Sequence, residues 1–243
     1  MKLTILGKHG PYPKAGGACS GYLLEADGKR ILLDCGSGVL SRLQASCPIE
    51  ALDAIVLTHL HSDHMADMLI LRYALQMLTA KGIVRGRLPV YLPATPKAVA
   101  DEIATNGGFD AHIVAGGDAV QIGDVSLNFS HVRHLVECNA VKVVAEGKTF
   151  LFTGDMNTTP GFEDFARGVD FLLIDANFFH AEWSEGAPHL SAKLAAELAQ
   201  RAGVKRLMLT HIAPLCDEAA LLAEARQAYP AAELAQEQAQ VEI

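Results

Sequence analysis

Three histidines and an aspartate lie within six residues of one another in the segment Thr58-His59-Leu60-His61-Ser62-Asp63-His64. Imidazole nitrogens and carboxylate oxygens are donors that zinc and related divalent ions take in proteins, and the segment contains no thiolate. Two of the histidines are two positions apart, which is typical of extended backbone and differs from the i and i+4 spacing of a zincin helix. The segment therefore predicts a metal site and disfavours a structural zinc finger.

Three apolar segments, each predicted to be a strand, stop at a residue that can bind a metal ion. These residues are His59, Asp155 and His211. Strands that are apolar on both faces are covered by helices on both sides, and ligands in such layered folds gather at the strand ends. Although 152 positions separate His59 from His211, we expect the three side chains to converge.

The elements that must position these residues alternate along the chain. A helix is predicted from Met65 to Leu78, and another from Thr95 to Thr105 with Thr95 at its N-cap and Asn106-Gly107-Gly108 at its end. Asp27-Gly28 and Gly123-Asp124 each predict a tight turn between two strands. The mixture indicates the α/β class.

The amino-acid composition limits the classes of protein to which this chain can belong. The chain has 243 residues, 50% of them hydrophobic, so it can bury one large core, and we expect a single domain over residues 1–243. A net charge of −8 without a basic block argues against stable binding of nucleic acid. Five widely spaced cysteines without a CxxC pair predict a reducing, cytoplasmic setting, and no stretch approaches the length of a membrane span.

In this order, the motifs resemble those of the metallo-β-lactamase superfamily of metal-dependent hydrolases. The matching residues are the cluster His59-x-His61-x-Asp63-His64, a later isolated histidine, Gly154-Asp155 and Leu209-Thr210-His211. The resemblance extends from Asp34 to His211, nearly the whole chain. It implies a four-layer αβ/βα sandwich with a dinuclear metal centre between its two halves.

The resemblance also implies how the ligands are shared. One metal ion is assigned to His59, His61 and a later histidine, the other to Asp63, His64 and His211, with Asp155 bridging the two. His134 is preferred to His131 as the later histidine because its spacing to Ala140-Val141-Lys142 matches members with phosphodiester substrates. Asp34 is expected to orient a ligand. Two zinc ions are expected, with manganese as the alternative.

His189 indicates a branch of the superfamily. In the phosphodiesterase branch, which includes the transfer-RNA 3′-end nuclease ribonuclease Z, a further histidine precedes the final helix and strand, and His189 occupies that place. The resemblance implies attack by a metal-bridging hydroxide, with Asp63 accepting a proton and His189 protonating the leaving oxygen. A helix-preceding loop histidine is the alternative reading of His189.

The bacterial nuclease carries a long arm between the later histidine and the bridging aspartate, and only 20 residues separate His134 from Asp155 here. A small nucleotide-like phosphodiester is therefore the preferred substrate. The family resemblance is also compatible with a homodimer. The alternatives are a thioester or lactone hydrolase, an RNA-processing nuclease, and a non-enzymatic metal-binding protein.

Several residues have two interpretations from sequence. His9 and His180 are read as solvated loop histidines, with a place at the pocket mouth as the alternative. Asp175 is either a supporting carboxylate or a turn residue. The aromatic residues Phe178, Phe179 and Trp183 are typical of a core or interface, and the alternative is a face for a base or an acyl group.

Overall fold

Two β-sheets lie face to face in the computed structural model, which describes residues 1–105 and 107–243. The first sheet contains β1 (Lys2–Gly7), β2 (Gly21–Ala26), β3 (Lys29–Leu33), β4 (Ala54–Val56), β5 (Leu88–Leu92), β6 (Phe109–Ile113) and β14 (Gln240–Glu242). The second contains β7 (Ala119–Ile122), β8 (Val125–Val132), β9 (Cys138–Ala145), β10 (Lys148–Phe152), β11 (Phe171–Asp175), β12 (Leu207–Thr210) and β13 (Glu233–Leu234). The spatial orders are β14-β1-β2-β3-β4-β5-β6 and β13-β12-β11-β10-β9-β8-β7.

Helices cover the outer side of each sheet. In chain order they are α1 (Val39–Ser46), α2 (Ser62–Met65), α3 (Met68–Ala80), α4 (Lys97–Thr105), α5 (Phe162–Ala166), α6 (Ala192–Ala202) and α7 (Glu218–Arg226). Apolar residues of α1, α3 and α4 form one core with the first sheet, and those of α5, α6 and α7 form another with the second. A third core fills the space between the sheets. The predicted four-layer αβ/βα sandwich is confirmed.

Both faces of the central strands are apolar because each sheet is buried on both sides. In β10, Phe150 and Phe152 point into the core between the sheets, while Leu151 points toward the outer helices. In β4, Val56 faces inward and Ile55 outward. Alternating side chains along a strand thus supply two different cores.

Parallel pairing brings the ligand-type residues to one edge of each sheet. In the first sheet β3 runs parallel to β4, and the next residues along these strands lead to Asp34 and His59. In the second sheet β10, β11 and β12 run parallel to one another, so Asp155, Asp175 and His211 come from neighbouring strand ends. The two edges meet at the site described below.

Some predicted boundaries are wrong. The helix after the cluster begins at Met68, because Ser62–Met65 forms a separate turn of helix. Thr95 does not cap α4: the helix begins at Lys97, and the Thr95 hydroxyl donates to Glu137 at 3.0 Å. Asn106, predicted to end α4, lies outside the described residues.

Strand β6 and the two short C-terminal strands were not predicted, because they lie at sheet edges and carry mixed polar residues. Among the described residues, no helix combines the length and the apolar character needed to cross a bilayer.

Candidate metal centre

A first group of possible ligands comes from both sheets. His59 and His61 leave β4, His134 follows β8, and Asp155 follows β10. Nδ1 of His61 lies 3.1 Å from Nε2 of His59 and 3.1 Å from Nε2 of His134. Oδ2 of Asp155 lies 3.5 Å from Nε2 of His59. One donor atom from each residue falls within 4.8 Å of all the others, a spacing that one cation can bridge.

A second group lies beside the first and shares Asp155 with it. Its other members are Asp63 and His64 of α2 and His211, which follows β12. Nε2 of His64 lies 3.1 Å from Oδ1 of Asp155, and Nε2 of His211 lies 3.2 Å from Oδ2 of Asp63. Asp155 therefore presents its carboxylate to both groups.

Unpartnered polar atoms test whether these residues suit a cation. Among the described residues, Nε2 of His64 and Oδ1 of Asp155 are buried and have no hydrogen-bond partner, although they lie 3.1 Å apart. A buried polar atom without a partner is costly. Both atoms belong to the second ligand group, and an imidazole nitrogen and a carboxylate oxygen are donors for a divalent metal. The residues present therefore fit a metal ion.

Burial sets the charge state of the first group. It lowers the pKa of His59 well below its usual value and also lowers the pKa values of His61 and His134. Neutral imidazole is the form that binds a metal ion. Burial opposes ionisation of Asp155, but the nearby imidazoles, His211 foremost, hold its pKa well below its usual range. The group thus combines neutral histidines with one carboxylate.

The second group is richer in negative charge. Burial alone would lower the pKa of His211, yet the carboxylates of Asp155, Asp175 and Asp63 raise it to about 10. These carboxylates supply negative charge that a divalent cation would neutralise in place of a proton.

Asp34 contacts the ring nitrogen of His64 that points away from Asp155. Oδ2 of Asp34 lies 2.7 Å from Nδ1 of His64, and the backbone N–H of Thr58 donates to Oδ1 at 2.8 Å. Asp34 has a φ of +56°, a left-handed conformation that is uncommon outside glycine. The carboxylate leaves Nε2 of His64 turned toward Asp155.

His189 lies against the centre and is held by Asp175. Nδ1 of His189 is 2.8 Å from Oδ2 of Asp175, and its ring lies 4.8 Å from the ring of His211. The same Asp175 oxygen accepts the Met156 N–H at 3.0 Å. Of the two interpretations of Asp175, the structure supports the supporting carboxylate. Its position at the end of an apolar strand, like Asp155, was the available sequence signal.

Comparison with known proteins decides the family. Residues 29–212 match the family model described as a β-lactamase superfamily domain. The chain belongs to this superfamily. The probable metallo-hydrolase YhfI of Bacillus subtilis strain 168 is 31% identical over 212 residues, which cover 87% of this chain and 87% of that protein. A ribonuclease Z of Bradyrhizobium sp. strain ORS 278 is 29% identical over 300 residues, covering 97% of each chain.

Solved structures of superfamily members have the same fold. The crystal structure of Bacillus subtilis YhfI matches with a TM-score of 0.95 and 28% identity, covering 100% of this chain and 99% of that one. A diphosphatase of the PhnP family matches with a TM-score of 0.80 and 21% identity, over 100% of this chain and 97% of that one, a likeness of fold alone. Superfamily membership and the buried His and Asp groups make this chain a metal-dependent hydrolase.

In this superfamily member, other candidate histidines lie outside the centre. His131 is exposed on β8, opposite Asn139 of β9. His180 stacks on Trp183 with ring centres 5.9 Å apart. The indole N–H of Trp183 donates to the His189 carbonyl at 3.1 Å, so this residue braces the His189 loop.

The interpretation of His9 as a solvated loop histidine is wrong. His9 is 1% exposed, because the N-terminal loop pairs with the segment after His211. Nδ1 of His9 lies 3.2 Å from the Ile212 carbonyl oxygen, and the Ile212 N–H donates to the Lys8 carbonyl oxygen at 2.8 Å. The loop is therefore part of the wall around His211.

Sequence reasoning missed two residues of that wall. A Cβ atom on Gly10 would overlap the imidazole of His211, so the backbone approaches the ring as only glycine allows. The Asn177 side chain donates to the His211 carbonyl at 2.8 Å and to the Gly10 carbonyl at 3.2 Å. Gly10 was visible only as one of several glycines in a loop, and Asn177 carried no distinguishing pattern.

Proposed function

We propose that the chain is a phosphodiesterase that hydrolyses a small, nucleotide-like phosphodiester with two divalent cations, zinc first and manganese as the alternative. The observation that carries the proposal is His189, which is held by Asp175 beside both ligand groups. A histidine in this place suits an ester whose leaving oxygen needs a proton. The similarity in sequence to YhfI supports metal-dependent hydrolysis, and the similarity to a ribonuclease Z supports a phosphodiester substrate.

The proposed ligands of one cation are His59, His61 and His134, and those of the other are Asp63, His64 and His211, with Asp155 shared. When bound, the two cations would acidify a water molecule and offset the negative charge of the phosphoryl group. The nitrogen-rich first set favours zinc, while the second set, with more oxygen, also suits manganese.

Asp63 and His189 are the proposed proton carriers. Oδ2 of Asp63 lies 3.2 Å from Nε2 of His211. Burial opposes its ionisation, but His211 and His64 lower its pKa, so the side chain is a carboxylate that can accept a proton from the attacking water. His189 uses Nδ1 to contact Asp175, which leaves Nε2 to protonate the leaving oxygen.

A small substrate is preferred to structured RNA. Between His134 and Asp155 the chain forms a short loop and the β9–β10 hairpin, so these residues belong to the second sheet rather than to a projecting arm. The net charge of −8 also disfavours a long polyanion. Cleavage of RNA remains the second candidate because a ribonuclease Z aligns over 97% of this chain.

A reducing, cytoplasmic location is part of the proposal. All five cysteines are unpaired, and four of them are buried. A homodimer stays a prediction.

Metal-loaded protein assayed on bis-p-nitrophenyl phosphate, with thioester, lactone and precursor-tRNA substrates in parallel, tests the function. We expect about two ions per chain and hydrolysis of the phosphodiester that a chelator abolishes. Turnover of thioesters or lactones alone, unaffected by His189→Ala, would replace the proposal with the second hydrolase class. Fewer than one ion per chain and no turnover would support a non-enzymatic protein.

A further inference from the structure

A small cavity is lined by residues that follow β11 and by residues just after His211. Its volume is about 260 Å³, near the lower limit of small-molecule sites. We call it the side slot and define it by its apolar and amide walls: Asn177, Phe178, Phe179, Ala213, Leu215 and Cys216. Apart from Asn177, which donates to the His211 carbonyl, none of these residues has a role in the metal centre proposed above.

Two walls of the side slot adjoin residues of the centre. Asn177, one of its walls, donates to the His211 carbonyl at 2.8 Å, and Ala213 is two residues beyond that histidine. The ring of Phe178, another wall, lies 6.0 Å from the ring of His189. A group that packs on Phe178 in the slot is therefore separated from the imidazole proposed to protonate the leaving oxygen by no more than that ring.

The chemistry of the slot selects a neutral ring. Its walls are aromatic and aliphatic, and Leu215 is 91% exposed, which packing within the chain does not explain. The charged residues that line it are Glu182 and Asp217, and among the described lining residues there is no lysine or arginine. Two carboxylates repel a phosphate but accept hydrogen bonds from amino groups. Aromatic walls favour a planar ring over an alkyl chain.

We propose that the side slot binds the ring carried by the leaving half of the substrate, a nucleobase or a comparable neutral aromatic group. The inference rests on the proposed phosphodiesterase function, because it needs the scissile phosphate to lie between the two ligand groups and His189. Leu215 would act as a specificity determinant, closing over one face of the ring.

A matched pair of ligands tests the slot. Adenosine 3′,5′-cyclic phosphate and the same cyclic phosphate without its base present identical charge and an identical leaving oxygen. Both are measured as competitors of bis-p-nitrophenyl phosphate hydrolysis. We expect the base to lower the inhibition constant about tenfold, the effect of one stacked base. In Leu215→Ser that ratio should fall to about 2.

Leu135→Ser is the control, because Leu135 is also highly exposed, at 72%, but follows His134 and does not line the slot. Its ratio should equal that of the unmodified chain. Equal inhibition by the two cyclic phosphates, or an unchanged ratio in Leu215→Ser, would overturn the slot while leaving the phosphodiesterase intact. If bis-p-nitrophenyl phosphate is not hydrolysed, the proposed function fails. Calorimetric binding of the two cyclic phosphates to zinc-loaded protein then shows separately whether the slot binds the base.

Discussion

Oδ2 of Asp34 lies 2.7 Å from Nδ1 of His64, inside a region from which water is excluded. The N–H at Nδ1 donates to the carboxylate, so Nε2 faces Asp155 at 3.1 Å. A fully buried carboxylate thus decides which nitrogen of His64 is available to a cation.

Asp34→Asn tests this relationship. The amide keeps the size of the side chain but weakens the acceptor, so we expect metal affinity to fall by about 10- to 100-fold. Affinity would be measured by competition with a chelating dye. The control is Asp53→Asn, whose carboxylate accepts from the Arg30 N–H at the opposite end of β4. Unchanged affinity in Asp34→Asn would contradict an orienting role.

His189 and Asp175 should affect substrates according to their leaving groups. His189→Ala should lower kcat by at least about 100-fold for an ester that leaves as an alkoxide, because that oxygen needs a proton. The loss should be much smaller for p-nitrophenolate, which is stable as an anion. Asp175→Asn should show the same pattern with a smaller loss, since it positions the imidazole.

His112→Ala, which removes an exposed histidine outside the centre, is the control for general loss of stability. Equal losses with good and poor leaving groups would argue that His189 binds substrate without transferring a proton.

Gly10→Ala should disable the second ligand group. The new methyl group would overlap the His211 ring, so either the ring or the N-terminal loop must move. We expect activity to fall by about 100-fold or more, because small displacements at a catalytic centre are costly. Metal analysis should show reduced occupancy. Gly186→Ala is the matched control, since its Cβ would meet open space. A fully active Gly10→Ala protein would show that the loop yields without displacing His211.

Asp170 links stability to pH at a point away from the centre. A hydrogen bond from Lys205 lowers the pKa of Asp170 to about 2, with Thr149 also donating to its carboxylate. Because the folded pKa is below the unfolded value of about 3.9, the stabilisation is complete above about pH 5 and is lost as pH falls through about 2.

Asp170→Asn should therefore lower the free energy of unfolding at pH 7 by about 1 kcal/mol, a value reduced because the pair is partly open to water. The difference should shrink toward zero near pH 2. Urea unfolding at both pH values measures it. Asp164→Asn, which removes an exposed partner of Arg167, should change stability by less than about 0.5 kcal/mol. An equal effect of Asp170→Asn at pH 7 and pH 2 would contradict the assignment.

Most of the proposed ligand set follows from short-range patterns in the sequence. His59, His61, Asp63 and His64 are adjacent in sequence, and their spacing alone indicated a metal. The strands that end near Asp155 and His211 were predicted from apolar runs, because burial on both faces requires apolar residues at successive positions. Family resemblance ordered these motifs and implied the sandwich, which the two sheets and three cores confirm.

Edge strands were the weak point of the fold prediction. β6, β13 and β14 have at most one buried face and few residues, so neither alternation nor hydrophobicity marks them strongly. Their pairing is set by neighbours distant in sequence. β14, for example, pairs with β1 across more than two hundred residues.

The sequence by itself determined the chemistry: which side chains could bind a metal ion, and that they would be carried to strand ends. Only the tertiary structure decided the close contacts around them, namely Asp175 on His189, Gly10 against the His211 ring and the apolar slot beside it. The reason is physical. Ligand identity is a property of single residues and strand periodicity is local, whereas these contacts join segments whose approach depends on the packing of two complete sheets.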